Sequence, residues 1–159
     1  MTESLDPVRM ACWRAYIEAS QRLFTQIEED LRADELSFAD YHVLVLLSEA
    51  PGQRLRMGEL AGRLVFSPSR LTYQITSMQK RGLVAKESCP GDRRGSEAVL
   101  TAAGLLTLRD AAPHHLASVR AHLMDDLDDA EVACLTRVFE RLGRRLRAAR
   151  DASSTPADN

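Results

Sequence analysis

Apolar residues recur along most of this chain at three- and four-residue steps, the period of an amphipathic helix. Trp13, Ile17, Phe24, Ile27 and Leu31, with Ser20 in the same row, mark one face of a helix of about six turns. Ser37, three residues before Asp40, has the spacing of a capping box and opens a second helix through Tyr41, Leu44, Leu47 and Ser48. Ala50-Pro51-Gly52 ends it. A short helix is predicted from about Gly58 to Leu64, with Leu60, Ala61 and Leu64 inward. After the turn Val65-Phe66-Ser67, Ser67 is an N-cap and Pro68 takes the first helical position, where no N–H is needed. This next helix runs to Arg81 with Leu71, Ile75 and Met78 inward, and Gly82 stops it. Two helices joined by so short a turn form a helix-turn-helix.

Beyond Gly82 the period changes. Leu83–Glu87 and Glu97–Leu100 read as short strands around a loop rich in Gly, Pro and Asp, a hairpin wing directly after the second motif helix. Thr101 caps a long helix that Pro113 should kink near Asp110 to Ala112. Asp128 with Glu131 is a further capping box. In the last helix Val132, Leu135, Phe139, Leu142, Leu146 and Ala149 form a narrow seam of 3.5-residue period. Such a seam suits packing on a partner helix, in this chain or in a second copy. The predicted fold is mainly α, a winged helix-turn-helix with long N- and C-terminal helices and a small β-wing. The divisions are 1–36 for an N-terminal helix, 37–101 for the winged helix, 102–150 for C-terminal helices and 151–159 for a disordered tail.

Of the 159 residues, 45% are apolar and 28% charged, enough to bury a sizeable core. No apolar run approaches the roughly 18 residues of a membrane span, and no signal peptide is visible, so a cytoplasmic, membrane-free protein is expected. The net charge of −2 conceals a segregation. Residues 1–52 carry 4 Lys/Arg against 10 Asp/Glu, residues 53–94 carry 9 against 3, and residues 95–159 carry 8 against 10. A basic centre between acidic flanks makes attraction for a polyanion local, and it coincides with the helix-turn-helix.

On the second motif helix Ser69, Arg70, Tyr73, Gln74 and Ser77 are expected to face outward. Hydroxyls at a helix N-terminus bind phosphate with help from free N–H groups and the dipole. Arg forks onto guanine and Gln onto adenine in the major groove of double-stranded DNA. In the wing, Arg93 and Arg94 suit a narrow minor groove, and Asp92 can brace a guanidinium through a bidentate pair.

Together these features resemble the MarR (multiple antibiotic resistance regulator) family of winged-helix transcription factors, over about residues 8–148. The likeness rests on Leu60-Ala61, Ser67-Pro68-Ser69-Arg70-Leu71-Thr72, Arg81-Gly82-Leu83-Val84, Asp92-Arg93-Arg94-Gly95 and Leu100-Thr101-Ala102-Ala103-Gly104, in that order. It implies a homodimer built from the first and last two helices, acting as a transcriptional regulator, most simply a repressor. It carries Ser67, Ser69, Arg70, Thr72 and Gln74 over as recognition-helix residues, and Asp92 and Arg94 as wing residues. Met57 departs from the Ser or Thr cap common in such proteins, which leaves the start of the first motif helix open.

The resemblance implies an effector pocket at the junction of terminal helices and winged helix. Trp13, Tyr16, Tyr41 and His42 could wall it for a small aromatic or phenolic ligand; they also suit ordinary core and interface packing. Cys12 resembles the first-helix thiol of the organic-hydroperoxide-sensing branch, an alternative function. Ile27 and Phe38, however, stand at or beside places where that branch has tyrosines. A buried, inert Cys12 is the main expectation, with Cys134 packed and Cys89 exposed in the wing. His115 and His122 share a helix face but lie about 10.5 Å apart along its axis, too far for one zinc ion. No metal or cofactor is expected. No phosphate-binding glycine loop or nucleophile elbow is present, so the chain does not read as an enzyme.

Overall fold

The computed structural model describes residues 5–89, 92 and 95–154, with side chains to residue 149. Helix α1 (Pro7–Leu31) starts at Asp6, whose carboxylate accepts the Arg9 N–H at 3.0 Å. A left-handed Glu35 (φ 55°) then turns the chain into α2 (Phe38–Glu49). The Ser37–Asp40 capping box is formed in both directions, each bond 3.0 Å. After Gly52 (φ 65°) and Gln53 (φ 55°) comes β1 (Arg54–Arg56), a strand that three residues were too few to signal. Its middle residue, Leu55, is buried and its two arginines are exposed.

Helix α3 (Met57–Leu64) begins on Arg56 without a side-chain cap, in keeping with the departure at Met57. Val65 closes it in the left-handed region (φ 56°), and α4 (Pro68–Lys80) follows from the Ser67 cap. Strands β2 (Val84–Ser88) and β3 (Ser96–Leu100) lie within a residue of prediction. The sheet has three antiparallel strands in the order β1-β3-β2, with Arg54 opposite Val99 and Ala85 opposite the same Val99. The edge strand β1 therefore ties the base of the wing to the start of α3.

Helix α5 (Ala102–His122) is continuous through Pro113, where an interruption was expected. Proline removes one N–H donor, yet this helix is held by tertiary contacts on both sides of it. Leu108 and Ala111 are buried, Ser118 Oγ donates to Asp30 Oδ2 at 2.6 Å, and His114 Nδ1 meets Asp34 at 2.9 Å. Gly104 allows the first turn of α5 to press on the Leu83 carbonyl, whose oxygen lies 2.0 Å from where a Cβ would sit. Thr101 secures that contact: its hydroxyl reaches the Gly82 and Leu83 carbonyls and receives the Gly104 N–H.

By packing, the chain divides into residues 1–119 and 120–159. The core of the first unit joins Ile27, Leu31, Val43, Leu44, Leu47, Leu60, Leu71, Ile75 and Met78. In the second, the Asp128–Glu131 capping box is formed (3.0 and 2.8 Å) and leads into α6 (Asp129–Ser154). None of the described α6 side chains is buried.

Candidate nucleic-acid interface

Helix α4 turns Leu71, Ile75 and Met78 into the core, which fixes what the opposite face displays. Ser67 Oγ receives the Arg70 N–H (3.3 Å) and lies 3.2 Å from Ser69 Oγ, so two hydroxyls cluster at the helix N-terminus. Ser69, Arg70, Thr72 and Tyr73 are exposed, Tyr73 to 79%. Thr72 donates its hydroxyl back to the Pro68 carbonyl at 2.9 Å. Arg70 lays its guanidinium over the Phe66 ring, 3.9 Å from the centroid, so its stem is oriented before any ligand arrives. Thr76, which sequence reasoning passed over, is exposed on the same side, and Ser77 is half-buried.

Gln74 differs from expectation. Its Nε2 donates to Asp40 Oδ1 at 2.6 Å, so the amide faces α2 rather than outward. Nothing in the local pattern announced this, because the partner lies 34 residues earlier.

Around α4 the sheet adds Arg54, held by Glu87 (3.3 Å) and Glu97 (3.5 Å), and Arg56, paired with Asp92 at 3.4 Å. Asp92 also builds the wing turn: Oδ1 accepts the Gly95 N–H at 3.0 Å, and a Cβ on Gly95 would meet Oδ2 at 2.5 Å. Arg93 and Arg94 lie outside the described residues. Cys89, expected to be exposed, is 6% accessible. Its N–H donates to the Gly95 carbonyl at 3.0 Å, and Gly95 lies against the thiol, with Sγ 3.1 Å from where a Cβ would sit.

Of the aromatic candidates, Tyr41 and His42 join a cluster with residues that sequence reasoning had not grouped. Phe38 lies 5.5 Å from Phe24, 4.7 Å from His42 and 6.3 Å from His115, and Tyr41 lies 4.2 Å from His115. Burial pushes the Tyr41 phenol up and both imidazoles down, with His42 adding to the fall at His115. All three are thus held neutral near pH 7. The buried His115 Nδ1 has no hydrogen-bond partner. Trp13 and Tyr16 pair with each other at 6.1 Å, about 16.5 and 12 Å along α1 from Phe24. Cys12 and Cys134 are exposed, where a buried Cys12 and a packed Cys134 were expected. The buried residues of α1 are Ile27 and Leu31, so its first turns project past the core.

The helical fold with its small three-stranded antiparallel sheet is shared with solved proteins. AbsC, a MarR family transcriptional regulator from Streptomyces coelicolor, is 42% identical, with a TM-score of 0.88 over 92% of this chain and 99% of that one. The chain belongs to the MarR family. The MarR family model matches residues 35–95, from the turn before α2 to the residue before β3. A second MarR regulator of the same organism, Sco3205, whose structure was solved in complex with DNA, is 34% identical, with a TM-score of 0.88 over 92% of each chain. The transcriptional regulator MhqR of Bacillus subtilis is 24% identical over 143 residues, 90% of this chain and 94% of that protein. This MarR protein is accordingly a DNA-binding transcriptional regulator. Among its described residues no helix is long and apolar enough to cross a membrane.

Proposed function

We propose that the protein is a homodimeric repressor that covers a pseudo-palindromic operator, one α4 entering each of two successive major grooves, and that a small effector releases it. The observation that carries this reading is the outward face of α4. Ser69, Arg70, Thr72 and Tyr73 stand clear of the core on one helix. Arg70 suits guanine or phosphate, Ser67 and Ser69 suit phosphate, and Tyr73 offers a flat apolar surface. That the 34%-identical relative was solved in complex with DNA supports DNA as the ligand. Arg93 and Arg94 would add minor-groove contacts from the wing. A regulator of this kind works where the chromosome is, in the cytoplasm.

Dimerisation is supported by apolar side chains left exposed on the terminal helices: Val8 and Trp13 on α1, Val132 and Leu146 on α6. Residues 1–36 and 102–150 then serve as the dimerisation helices and 37–101 as the reading head. The effector would lie against Phe24, Phe38, Tyr41, His42 and His115, where neutral polar tips on an aromatic wall suit a small aromatic or phenolic molecule. Selection of duplexes from a random pool, followed by titration of the winner at several salt concentrations, tests the core of the proposal. Enrichment of an inverted repeat, with affinity falling steeply as salt rises, is expected. No enrichment over random competitor would sink it.

The exposure of Cys12 favours a second reading, a thiol that senses organic hydroperoxide, with Tyr16 one turn away. Under that reading Cys12→Ser abolishes peroxide-driven release from the selected duplex; unchanged release removes it.

A further inference from the structure

Among the described residues Asp40 is the one carboxylate buried to this degree, at 5% exposure, and its partners are the cap of its own helix and two side chains of α4 and its C-cap. Oδ2 accepts the Ser37 N–H at 3.0 Å and Arg81 Nη1 at 2.9 Å, while Oδ1 accepts Gln74 Nε2 at 2.6 Å. Arg81 Nη2 also donates to the Glu35 carbonyl, in the turn between α1 and α2. One residue past the cap, the Phe38 N–H donates to Glu28 Oε2 of α1 at 2.7 Å. The first turn of α2 is therefore fastened to α1 on one side and to α4 on the other.

The sequence spacing makes this more than a stabilising contact. Gln74 and Arg81, the C-cap of α4, are seven residues apart, so they lie on the same side of the helix, about 10.5 Å apart along its axis. Two anchors on one face, converging on a single carboxylate, restrain both rotation and sliding of the helix. A buried carboxylate tolerates no substitute arrangement, because each donor it loses leaves charge uncompensated. Its acceptor-only chemistry also dictates that Gln74 presents its NH2 group inward. Rotation of α4 decides which side chains reach base edges, whereas phosphate attraction depends on it far less.

We propose that Asp40 is a positioning residue for base discrimination: through Gln74 and Arg81 it sets the rotation of α4 and links it to the α1–α2 junction. Phe38, two residues before it, packs on Phe24, His42 and His115, so a displacement of that aromatic cluster acts on α4 through this carboxylate. The inference rests on the regulator reading above.

The test uses the full chain and the duplex that the wild-type protein selects. Asp40→Asn keeps the shape and one acceptor oxygen but cannot pair with Arg81. Binding to the selected duplex should weaken about tenfold while binding to random duplex stays within about twofold, with a salt slope unchanged. Gln74→Leu should act in the same direction, and the double variant should be no worse than the poorer single one. A folded Asp40→Asn protein whose ratio of selected to random binding equals that of wild type overturns the proposal, as do additive effects of the two substitutions. Loss of preference at a single base pair in Gln74→Leu, with Asp40→Asn unaffected, overturns it in favour of direct reading by Gln74. Should Asp40→Asn fail to fold, Gln74→Leu and Arg81→Gln carry the test by the same ratio. A wild-type protein that selects no duplex sinks the regulator reading and this one together; unchanged discrimination in a variant of a selective protein sinks this one alone.

Discussion

At the scale of single residues, pairing decides which side chains are available. Arg70 is exposed yet already oriented by Phe66, an arrangement worth about 0.5–1 kcal/mol at an exposed site. Phe66→Leu should keep the core filled and leave Arg70 less ordered, weakening selected-duplex binding by about two- to fivefold. Arg70→Ala should weaken it by about tenfold or more, and equal losses in the two proteins would separate Arg70 from the ring beneath it. The imidazoles offer a pH test. His42 and His115 are depressed when folded, so the unfolded chain takes up protons first as pH falls through about 6.5. Their neutral forms favour the fold fully above that value, and stability drops as pH falls towards the folded values. Thermal unfolding between pH 7.5 and 5.5 should show Tm falling with pH, and falling less in His115→Gln. Parallel curves for the two proteins would contradict the assignment.

At the scale of elements, helix periods were legible and close contacts were not. The apolar rows located α1, α2, α3 and α4, and the caps at Ser37, Ser67 and Asp128 located the starts of α2, α4 and α6, because both signals are local. Strand β1 escaped because it owes its existence to pairing with β3 and not to any run of its own. The continuity of α5 escaped because proline's local penalty is outweighed by Leu108 and Ala111 packing before it and Ser118 after it. Gly104 carries the sharpest prediction at this scale. A methyl group there would overlap the Leu83 carbonyl, so Gly104→Ala forces α5 away from the wing and costs about 1–3 kcal/mol. Calorimetry should record a Tm lower by about 5 °C or more, and an unchanged Tm would mean that α5 and the wing are not in register as described.

At the scale of the whole molecule, the exposed apolar residues of the terminal helices ask for a second copy. Val132 and Leu146 occupy equivalent seam positions, and both stay accessible in the isolated chain. Leu146→Asp places a charge in that seam; sedimentation should then show a shift from dimer to monomer, and selected-duplex binding should fall with it. A protein that sediments as a single chain before any substitution would end the dimer proposal. Cys12 belongs to this scale too, since its accessibility in a dimer depends on what the first turns of α1 meet.

The sequence by itself determined the helix-turn-helix, its basic charge and the residues α4 can show, since these follow from period, caps and local composition within a few turns of chain. It also identified Asp40, but only as half of a capping box with Ser37. Tertiary structure decided that the same carboxylate would also receive Gln74 and Arg81, from 34 and 41 residues away. It likewise gathered Phe24, Phe38, Tyr41, His42 and His115 into one cluster and buried Cys89 against Gly95. The physical reason is the same in each case. A helix face is set by neighbours three and four residues along, whereas the partner of a buried polar group is set by which elements happen to pack against it.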